Sequence, residues 1–410
     1  MIGGEFERAA LFIAKGRLRQ NAGARQQRQG FLKDAPLGNG KDDWLRHDAR
    51  PLLGWGIEGK LHRMTDHIRA AFRQQAEMCR ASGSPMTAEL LVALGDVIDA
   101  STHSGAAVLS WPGDPIADAL MLRLTGGLHA LARSGQDDEL TRFYAQQKGD
   151  LPRILKRVLK DWDDWILPWL DRPPQTNEVG RAAALWPGMM RIARRFGPRM
   201  EWIEIGASAG LNLNMDHFGY RLGGVVAGDL RSPLQLMPDW MGADPDVSDV
   251  IVADRLGIDL NPLDVTDAAI ADRLMAYSWP DQRDRMTRTQ TAIAMAQNTP
   301  PPLVKGNAMD LLEPLLAEQQ AEGRTRVIYH SIALQYFTEE QRMAVRDMIE
   351  AAGARATPAR PLAWLSLEFQ TQGAPLAELR LRCWPGTGVT ETLAHVHAHG
   401  AMLTWVAGAA

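Results

Sequence analysis

The feature that most constrains this chain is the segment Glu201–Leu213, where a short apolar run meets a glycine loop. Its letters, EWIEIGASAGLNL, predict a strand, a sharp turn and the start of a helix. Glycine suits such a turn because it adopts positive φ and lets a ligand approach the backbone closely. Amides at a helix start face a ligand with partial positive charge. The segment therefore predicts a ligand-binding corner.

The hydrophobic period changes near Gly197-Pro198. Before this point apolar residues recur at helical spacing, which predicts a helical cap domain over residues 64–198. After it, short apolar runs alternate with helical stretches, the pattern of a parallel sheet. The last predicted strands leave no room for a helix between them. We therefore expect an α/β fold in which residues 199–410 form a Rossmann-like domain of the class I methyltransferase type, with a mostly parallel sheet that closes in an antiparallel hairpin.

Residues 1–63 combine Gly, Gln and Arg with little apolar periodicity. Such composition predicts a disordered extension, or one added by a spurious start site, because Met64 opens the first convincing helix. Its excess of basic residues is more typical of a solvated tail than of an RNA-binding one.

The whole chain has a net charge of −4, which gives it no general attraction for nucleic acid or anionic membranes. Its two cysteines, Cys79 and Cys383, lie far apart and exclude a disulfide framework. No stretch has the length and apolarity of a transmembrane helix. We expect a cytoplasmic protein with a small-molecule substrate, no nucleic-acid partner and no membrane partner; its oligomeric state is left open.

The glycine loop is the predicted S-adenosylmethionine site, since it lacks the third glycine typical of pyrophosphate binding. The cofactor-binding candidates here are Glu204, Gly206, Ser208, Gly210 and Asn212. The same letters also spell G-x-S-x-G, the nucleophile elbow of serine hydrolases. That alternative would need a triad of Ser208, Glu368 and His399. The helices predicted before the loop and the polar strand ends after it favour the cofactor.

Polar residues follow the later strands as well. Asp259 is placed to bind the ribose hydroxyls, although its distance from the loop is more than twice the usual 20 or so residues. Asp264 is the alternative, and a plain Asx turn is another. Asn307 is the adenine-binding candidate. An insertion over about residues 220–249 accounts for the long spacing.

The strand predicted at residues 326–329 ends in His330 and is followed by Tyr336, which places both over the active-site edge. His330 is either a general base or a satisfied buried histidine. Three histidines at alternating positions, His395, His397 and His399, lack an acidic or cysteine partner, so we expect no metal site.

The segment Pro173–Arg181, with the letters PPQTNEVGR, is too polar for a core-facing turn unless its side chains meet a ligand or each other. We expect Gln175, Asn177 and Arg181 to bind substrate, and Glu178 to be a second candidate base.

Several of these strings resemble a bacterial domain-of-unknown-function family, number 2332, over residues 66–406. They are PPQTNEVGR, EIGASAGLNL, GIDLNPLDV, YHSIALQYF, Leu122–His129, Trp279-Pro280 and His399-Gly400. The resemblance implies a C-terminal half similar to class I methyltransferases, with no assigned substrate. Where the family pattern has an acid after the third strand, this chain has Asn307.

The sequence thus predicts a methyltransferase-like enzyme that uses S-adenosylmethionine, with His330, Glu178 and Tyr336 as catalytic candidates. A serine hydrolase based on Ser208 and a non-catalytic Rossmann-fold binding module are the alternatives.

Overall fold

The computed structural model describes residues 55–371 and 373–408, with side chains from Thr65 onward. Most of the predicted extension, residues 1–54, lies outside this part of the chain. The first described helix, α1, spans Trp55–Ala81 and so begins before Met64.

The helical region continues with six further helices, three of which begin at a residue whose side chain caps the helix. Thr102, Asp137 and Asp150 accept hydrogen bonds from amides in the first turns of α3, α5 and α6. The ranges are α2 (Pro85–Val97), α3 (His103–Leu109), α4 (Leu120–Ser134), α5 (Asp138–Gln146), α6 (Leu151–Asp161) and α7 (Asp163–Ile166). Their apolar faces meet in one core, as the helical spacing predicts.

The remaining elements build the sheet and the helices that cover it. In chain order they are α8 (Ala182–Phe196), β1 (Arg199–Ile205), β2 (Gly219–Leu222), β3 (Val225–Gly228), β4 (Gln235–Leu236), β5 (Asp239–Gly242), β6 (Ile251–Asp259), α9 (Ala268–Ala276), α10 (Arg283–Asn298), β7 (Leu303–Lys305), α11 (Ala308–Ala317), β8 (Thr325–Ser331), α12 (Glu339–Gly353), β9 (Leu362–Glu368), β10 (Ala377–Trp384), β11 (Glu391–Val396) and β12 (Met402–Trp405).

Nine of these strands form one sheet in the order β5-β12-β11-β10-β9-β8-β1-β6-β7. The five strands from β7 to β9 are parallel, which confirms the α/β prediction. In chain order their arrangement is 3-2-1-4-5, the order of doubly wound nucleotide-binding sheets. The direction of winding reverses between β1 and β8, so this pair marks the topological switch point.

The last strands of the sheet form a larger antiparallel section than the single closing hairpin that the sequence predicts. Strands β9 to β12 run antiparallel to each neighbour in turn, and β5 adds a parallel edge strand beyond β12. β5 comes from the predicted insertion, whose other strands make a small separate sheet, β3-β2-β4.

The two faces of the central strand β1 are covered by different helices. Met200 and Trp202 belong to a core shared with α8, while Ile203 and Ile205 belong to a core shared with α11 and α12. This alternation is the period of two expected of a strand. Residues Gly59–Ala410 form one compact unit that includes both the helical region and the sheet.

Within the described residues, no helix combines the length and the apolar character needed to cross a membrane.

Candidate functional site

The carboxyl edge of β1 and β8 has two strained turns. Ser208 after β1 has φ of 54° and Ile332 after β8 has φ of 50°, a left-handed conformation that is unusual for a side-chain-bearing residue and rare for a β-branched one. Such strain persists only where surrounding contacts hold it, and it clusters at functional sites. Because the two turns flank the topological switch point, where ligands of such sheets bind, this edge is the candidate site.

The glycine loop is fixed mainly by the neighbouring strand β6. The amides of Gly206 and Ala207 both donate to the carbonyl of Ile258, and a Cβ on Gly206 would lie 2.6 Å from Cβ of Ala333. Gly206 is therefore required by close packing of the protein itself. The loop leads into a 3₁₀ helix, Leu211–His217, so the predicted helix start is present in its 3₁₀ form. The first amide of this helix, that of Leu211, donates to Asn177 within the protein.

Ser208 has a buried hydroxyl with no hydrogen-bond partner among the described residues. The triad of the hydrolase alternative is not assembled around it, because Glu368 contacts His330 and His399 contacts Glu178. Neither Glu368 nor His399 is therefore available to Ser208 as a triad partner. A buried hydroxyl without a partner is costly and indicates a group that a ligand can satisfy.

Asp259 ends β6 directly beside this loop. Its Oδ2 accepts from the Ser208 amide at 2.8 Å, and its Oδ1 accepts from the Asn261 amide at 2.8 Å. The second bond closes an Asx turn. Asp259 therefore forms the turn and also lies at the sheet edge, so both expectations for this residue hold. Asp264 instead bonds the exposed Thr266. Gln175 Nε2 also donates to Asp259 Oδ1 at 3.5 Å. A carboxylate has about four acceptor sites, so Asp259 keeps capacity for a ligand hydroxyl.

Asn307 caps α11 through Oδ1, which accepts from the amide of Met309 at 3.0 Å. Asp310 lies in the first turn of that helix. The carbonyl oxygen of Asn307 is therefore committed to the helix, which leaves only its amide nitrogen for an adenine edge.

The segment Pro173–Arg181, called the strap below, runs across the same edge and bonds the loops of several strands. Gln175 exchanges hydrogen bonds with Asn261 after β6. Asn177 accepts from the amide of Leu211 at 2.8 Å, after β1. Arg181 donates to the carbonyls of Ser331 and Ala398, after β8 and β11.

The predicted substrate residues Gln175, Asn177 and Arg181 therefore make contacts within the protein. Their polarity required either a ligand or partners within the protein, and the structure supplies partners in the strand-end loops. The strap also explains the closing His399-Gly400 pair. A Cβ on Gly180 would lie 2.2 Å from the carbonyl oxygen of His399, and one on Gly400 would lie 2.1 Å from that of Gly180.

Glu178 is a buried carboxylate in the middle of the strap. Its carboxylate lies 2.6 Å from Nε of Arg285 and 3.3 Å from Nδ1 of His399. Burial by itself would raise the pKa of Glu178, but the neighbouring His399 ring and the charge of Arg285 outweigh it and hold the pKa at about 2. Glu178 is thus an ionised group in close contact with His399, and it is too weakly basic to be the proton acceptor.

The Asn212 amide nitrogen donates to the Glu178 carbonyl at 3.2 Å, while its own Oδ1 is buried without a partner in the described part of the chain. Asn212 therefore ties the glycine loop to the strap.

His330 is fully buried, and both of its ring nitrogens are engaged. Nδ1 lies 2.7 Å from Glu368 and Nε2 accepts from the indole of Trp364 at 3.0 Å. Of the two interpretations of His330, a general base or a buried histidine with satisfied hydrogen bonds, the contacts fit the second. The same Glu368 oxygen accepts from the amides of Ala333 and Leu334, so the pair holds the strained turn at Ile332. Tyr336 beyond it is 81% exposed.

Glu204 lies beneath the switch point with Tyr329 as its neighbour on β8. The Tyr329 hydroxyl donates to Glu204 Oε2 at 3.3 Å. Burial raises the pKa of Glu204 to about 8, an effect that the tyrosine hydrogen bond only partly offsets. At neutral pH this carboxyl is protonated, and it can therefore donate a hydrogen bond.

A cavity of about 160 Å³ adjoins the strap on the side of the helical region. Its walls combine apolar and aromatic side chains with a few polar groups, the usual composition of small-molecule sites. Its lining includes Leu90, Leu122, His129, Tyr144, Trp279, Arg285 and His399.

Two aromatic residues form the far wall of this cavity. His129 stacks on Tyr144 with ring centroids 5.5 Å apart, and its Nδ1 donates to the carbonyl of Ala276 at 3.0 Å. Burial lowers the pKa of His129 to about 4, so the ring is neutral. The Tyr144 hydroxyl is buried without a hydrogen-bond partner among the described residues.

Sequence reasoning missed the cavity, but a signal was present. The resembling strings Leu122–His129, Trp279-Pro280 and His399-Gly400 supply much of its wall, although they lie far apart along the chain.

Fold and site together define an α/β protein with a doubly wound parallel core, a strap over its switch point and an adjoining cavity. The chain belongs to the bacterial family described as "Uncharacterized protein conserved in bacteria (DUF2332)", whose model matches residues 69–405. No curated protein matches the chain.

In the part of the chain that the structure describes, no group of three or more histidine, cysteine, aspartate or glutamate side chains could hold a metal ion.

Proposed function

We propose that this chain is a methyltransferase-like enzyme that binds S-adenosylmethionine at the carboxyl edge of β1 and β6 and acts on a small molecule. The observation that carries the proposal is the buried hydroxyl of Ser208, which has no partner among the described residues and lies beside the Asp259 carboxylate, at the carboxyl edge of β1 next to the topological switch point. Open α/β sheets bind nucleotides at this position.

The residues present fit the cofactor at part of its length. Asp259 would accept from the ribose hydroxyls, and Ser208 would contact the amino-acid end. Gly210, with φ of 68°, lets the chain turn between them. Asn307 would contribute only its amide nitrogen, because its oxygen caps α11. When bound, S-adenosylmethionine would supply a methyl group whose carbon an oxygen or nitrogen of the acceptor can attack, with the sulfonium sulfur leaving as a neutral thioether.

The protein's own contribution would be placement of the acceptor and removal of its proton. The protonated Glu204 under the loop adds no negative charge near neutral pH. The serine hydrolase alternative is not retained, since neither Glu368 nor His399 is available to Ser208 in the required triad.

Isothermal titration calorimetry with S-adenosylmethionine tests the proposal. We expect saturable binding in the micromolar range by the wild type and at least ~10-fold weaker binding by Asp259→Ala, the loss expected for a pair of hydrogen bonds. Asp264→Ala removes a nearby exposed carboxyl and should bind as the wild type does. Folding of each variant is checked by circular dichroism.

A folded wild type that shows no binding at millimolar ligand would contradict the proposal. Binding without methylation of any small molecule tested would favour the non-catalytic binding module instead.

A further inference from the structure

We propose that the cavity binds a single-ring phenolic molecule and that His399, which lies 3.3 Å from the Glu178 carboxylate, accepts the proton of its hydroxyl. That this molecule is the methyl acceptor rests on the proposed function; its binding and its loss of a proton do not.

The size of the cavity selects the ligand. At about 160 Å³ it matches the ~150 Å³ that holds one benzene molecule in an engineered protein cavity. Leu90, Leu122 and Trp279 provide apolar wall, which favours a flat ring over a sugar or an amino acid. A larger bicyclic molecule would exceed the space unless it projected through the opening.

Polar groups at the wall select the ring's substituents. The Tyr144 hydroxyl is buried without a partner in the described residues, so an acceptor atom on the ring would satisfy it. His399 also lines the cavity, and its Nδ1 faces the Glu178 carboxylate at 3.3 Å. No hydrogen bond from the described residues engages Nε2 of His399, which therefore remains for the ligand hydroxyl.

The charges around His399 are arranged for proton transfer. Glu178 faces Nδ1 from the strap, Arg285 faces the pair from α10 and Arg181 lies beyond. Burial lowers the pKa of His399, and the nearby arginines add to this effect, while Glu178 opposes it. The ring is therefore neutral near pH 7 with its lone pair available. When the ligand O–H bond breaks, an N–H bond forms at Nε2, and the imidazolium is held by Glu178.

The test uses 4-nitrophenol, because its phenolate absorbs visible light and its neutral form does not. Full-length protein is titrated at a pH where the free probe is mostly neutral. We expect saturable binding and a phenolate fraction in the bound probe at least ~3-fold above that of the free probe. His399→Gln keeps the size of the side chain but cannot take a proton. It should still bind the probe, with the excess phenolate absorbance lost.

Two further variants define the site. Leu122→Trp fills the cavity and should weaken probe binding ~10-fold or more, whereas His217→Gln, at an exposed histidine, should leave binding and spectrum unchanged. Circular dichroism confirms that each variant is folded.

The proposal is overturned if folded wild type does not bind 4-nitrophenol, if Leu122→Trp binds it equally well, or if His399→Gln retains the bound phenolate spectrum. Calorimetry with S-adenosylmethionine on the same samples separates the proposals. Probe binding without cofactor binding would refute only the methyltransferase function, and the reverse result would refute only the phenolic site.

Discussion

Two histidine–glutamate pairs lie at the same edge of the sheet, and they differ in what the second ring nitrogen meets. In the pair of His330 and Glu368, Nε2 accepts from Trp364 and the ring is completely buried. In the pair of His399 and Glu178, the ring lines a cavity and its Nε2 has no partner among the described residues. The first pair fastens a strained turn, and the second faces space that a ligand can fill.

The difference shows that a strand-end position does not by itself make a histidine available for chemistry. His330 occupies the position that sequence analysis favours, at the carboxyl end of a central strand. His399 comes from the loop after β11, outside the parallel core. Availability depends on neighbours that are distant in sequence, here Trp364 in one pair and Trp279 in the other.

The largest effect is expected from Glu178→Ala. Arg285, which is 8% exposed, would lose its partner, and breaking a buried ion pair costs about 3–5 kcal/mol of unfolding free energy. Urea denaturation measures the loss. Glu339→Ala removes the partner of Arg342 in an exposed pair and should cost under ~1 kcal/mol. Equal losses in the two variants would contradict the assignment of Glu178 as a buried charged centre.

Glu178 also predicts an acid dependence. Its pKa is lowered from 4.5 to about 2 in the folded state. A lowered folded pKa contributes stability above the unfolded value, and this stability is lost as the pH falls from about 4.5 towards 2. Glu178→Ala should lack that part of the acid denaturation profile.

At Glu204 we expect a smaller effect on the free energy of unfolding, with the opposite dependence on pH. Its folded pKa is raised to about 8, so between pH 4.5 and 8 the unfolded chain ionises first and stability falls as the pH rises. Glu204→Gln keeps a group that the Tyr329 hydroxyl can bond and cannot ionise. It should be more stable than the wild type at pH 8, by on the order of 3 kcal/mol. Glu313→Gln, at an exposed position of α11, is the control.

Stability of the variant would be measured by urea unfolding at pH 5 and pH 8. An unchanged difference between wild type and Glu204→Gln at the two pH values would show that Glu204 is not a buried protonated carboxyl.

The smallest effects separate the two histidines. His330→Gln breaks a satisfied buried network and should cost about 2 kcal/mol, while His399→Gln should cost under ~1 kcal/mol. Differential scanning calorimetry of both variants gives the comparison directly. A larger loss for His399→Gln would mean that His399 is the structural member of the two.

The fold could be predicted from sequence because the period of apolar residues changes sharply near Gly197. Residues 201–205 and 325–331 become parallel strands for that reason. The edge beyond β9 could not be predicted in full, since the pairing of β12 with β5 joins segments that lie more than 150 residues apart. Nothing local specifies such a long-range contact.

Local chemistry placed Asp259 and Ser208 at the same edge of the sheet, because the loops at the carboxyl ends of parallel strands meet there. It did not identify the partners of the strap. Gln175 and Arg181 donate to the carbonyls of Asn261 and Ser331. These contacts depend on how the strap runs over the strand ends, which the local sequence does not specify. Polarity alone predicts that such side chains need partners and does not say which.

A crystal structure of the protein grown with S-adenosylmethionine would examine the switch point most directly. We expect the ligand at the carboxyl edge of β1 and β6, within hydrogen-bonding distance of the Ser208 hydroxyl and the Asp259 carboxylate. A ligand bound elsewhere, with Ser208 and Asp259 untouched, would contradict the assignment of this edge as the cofactor site.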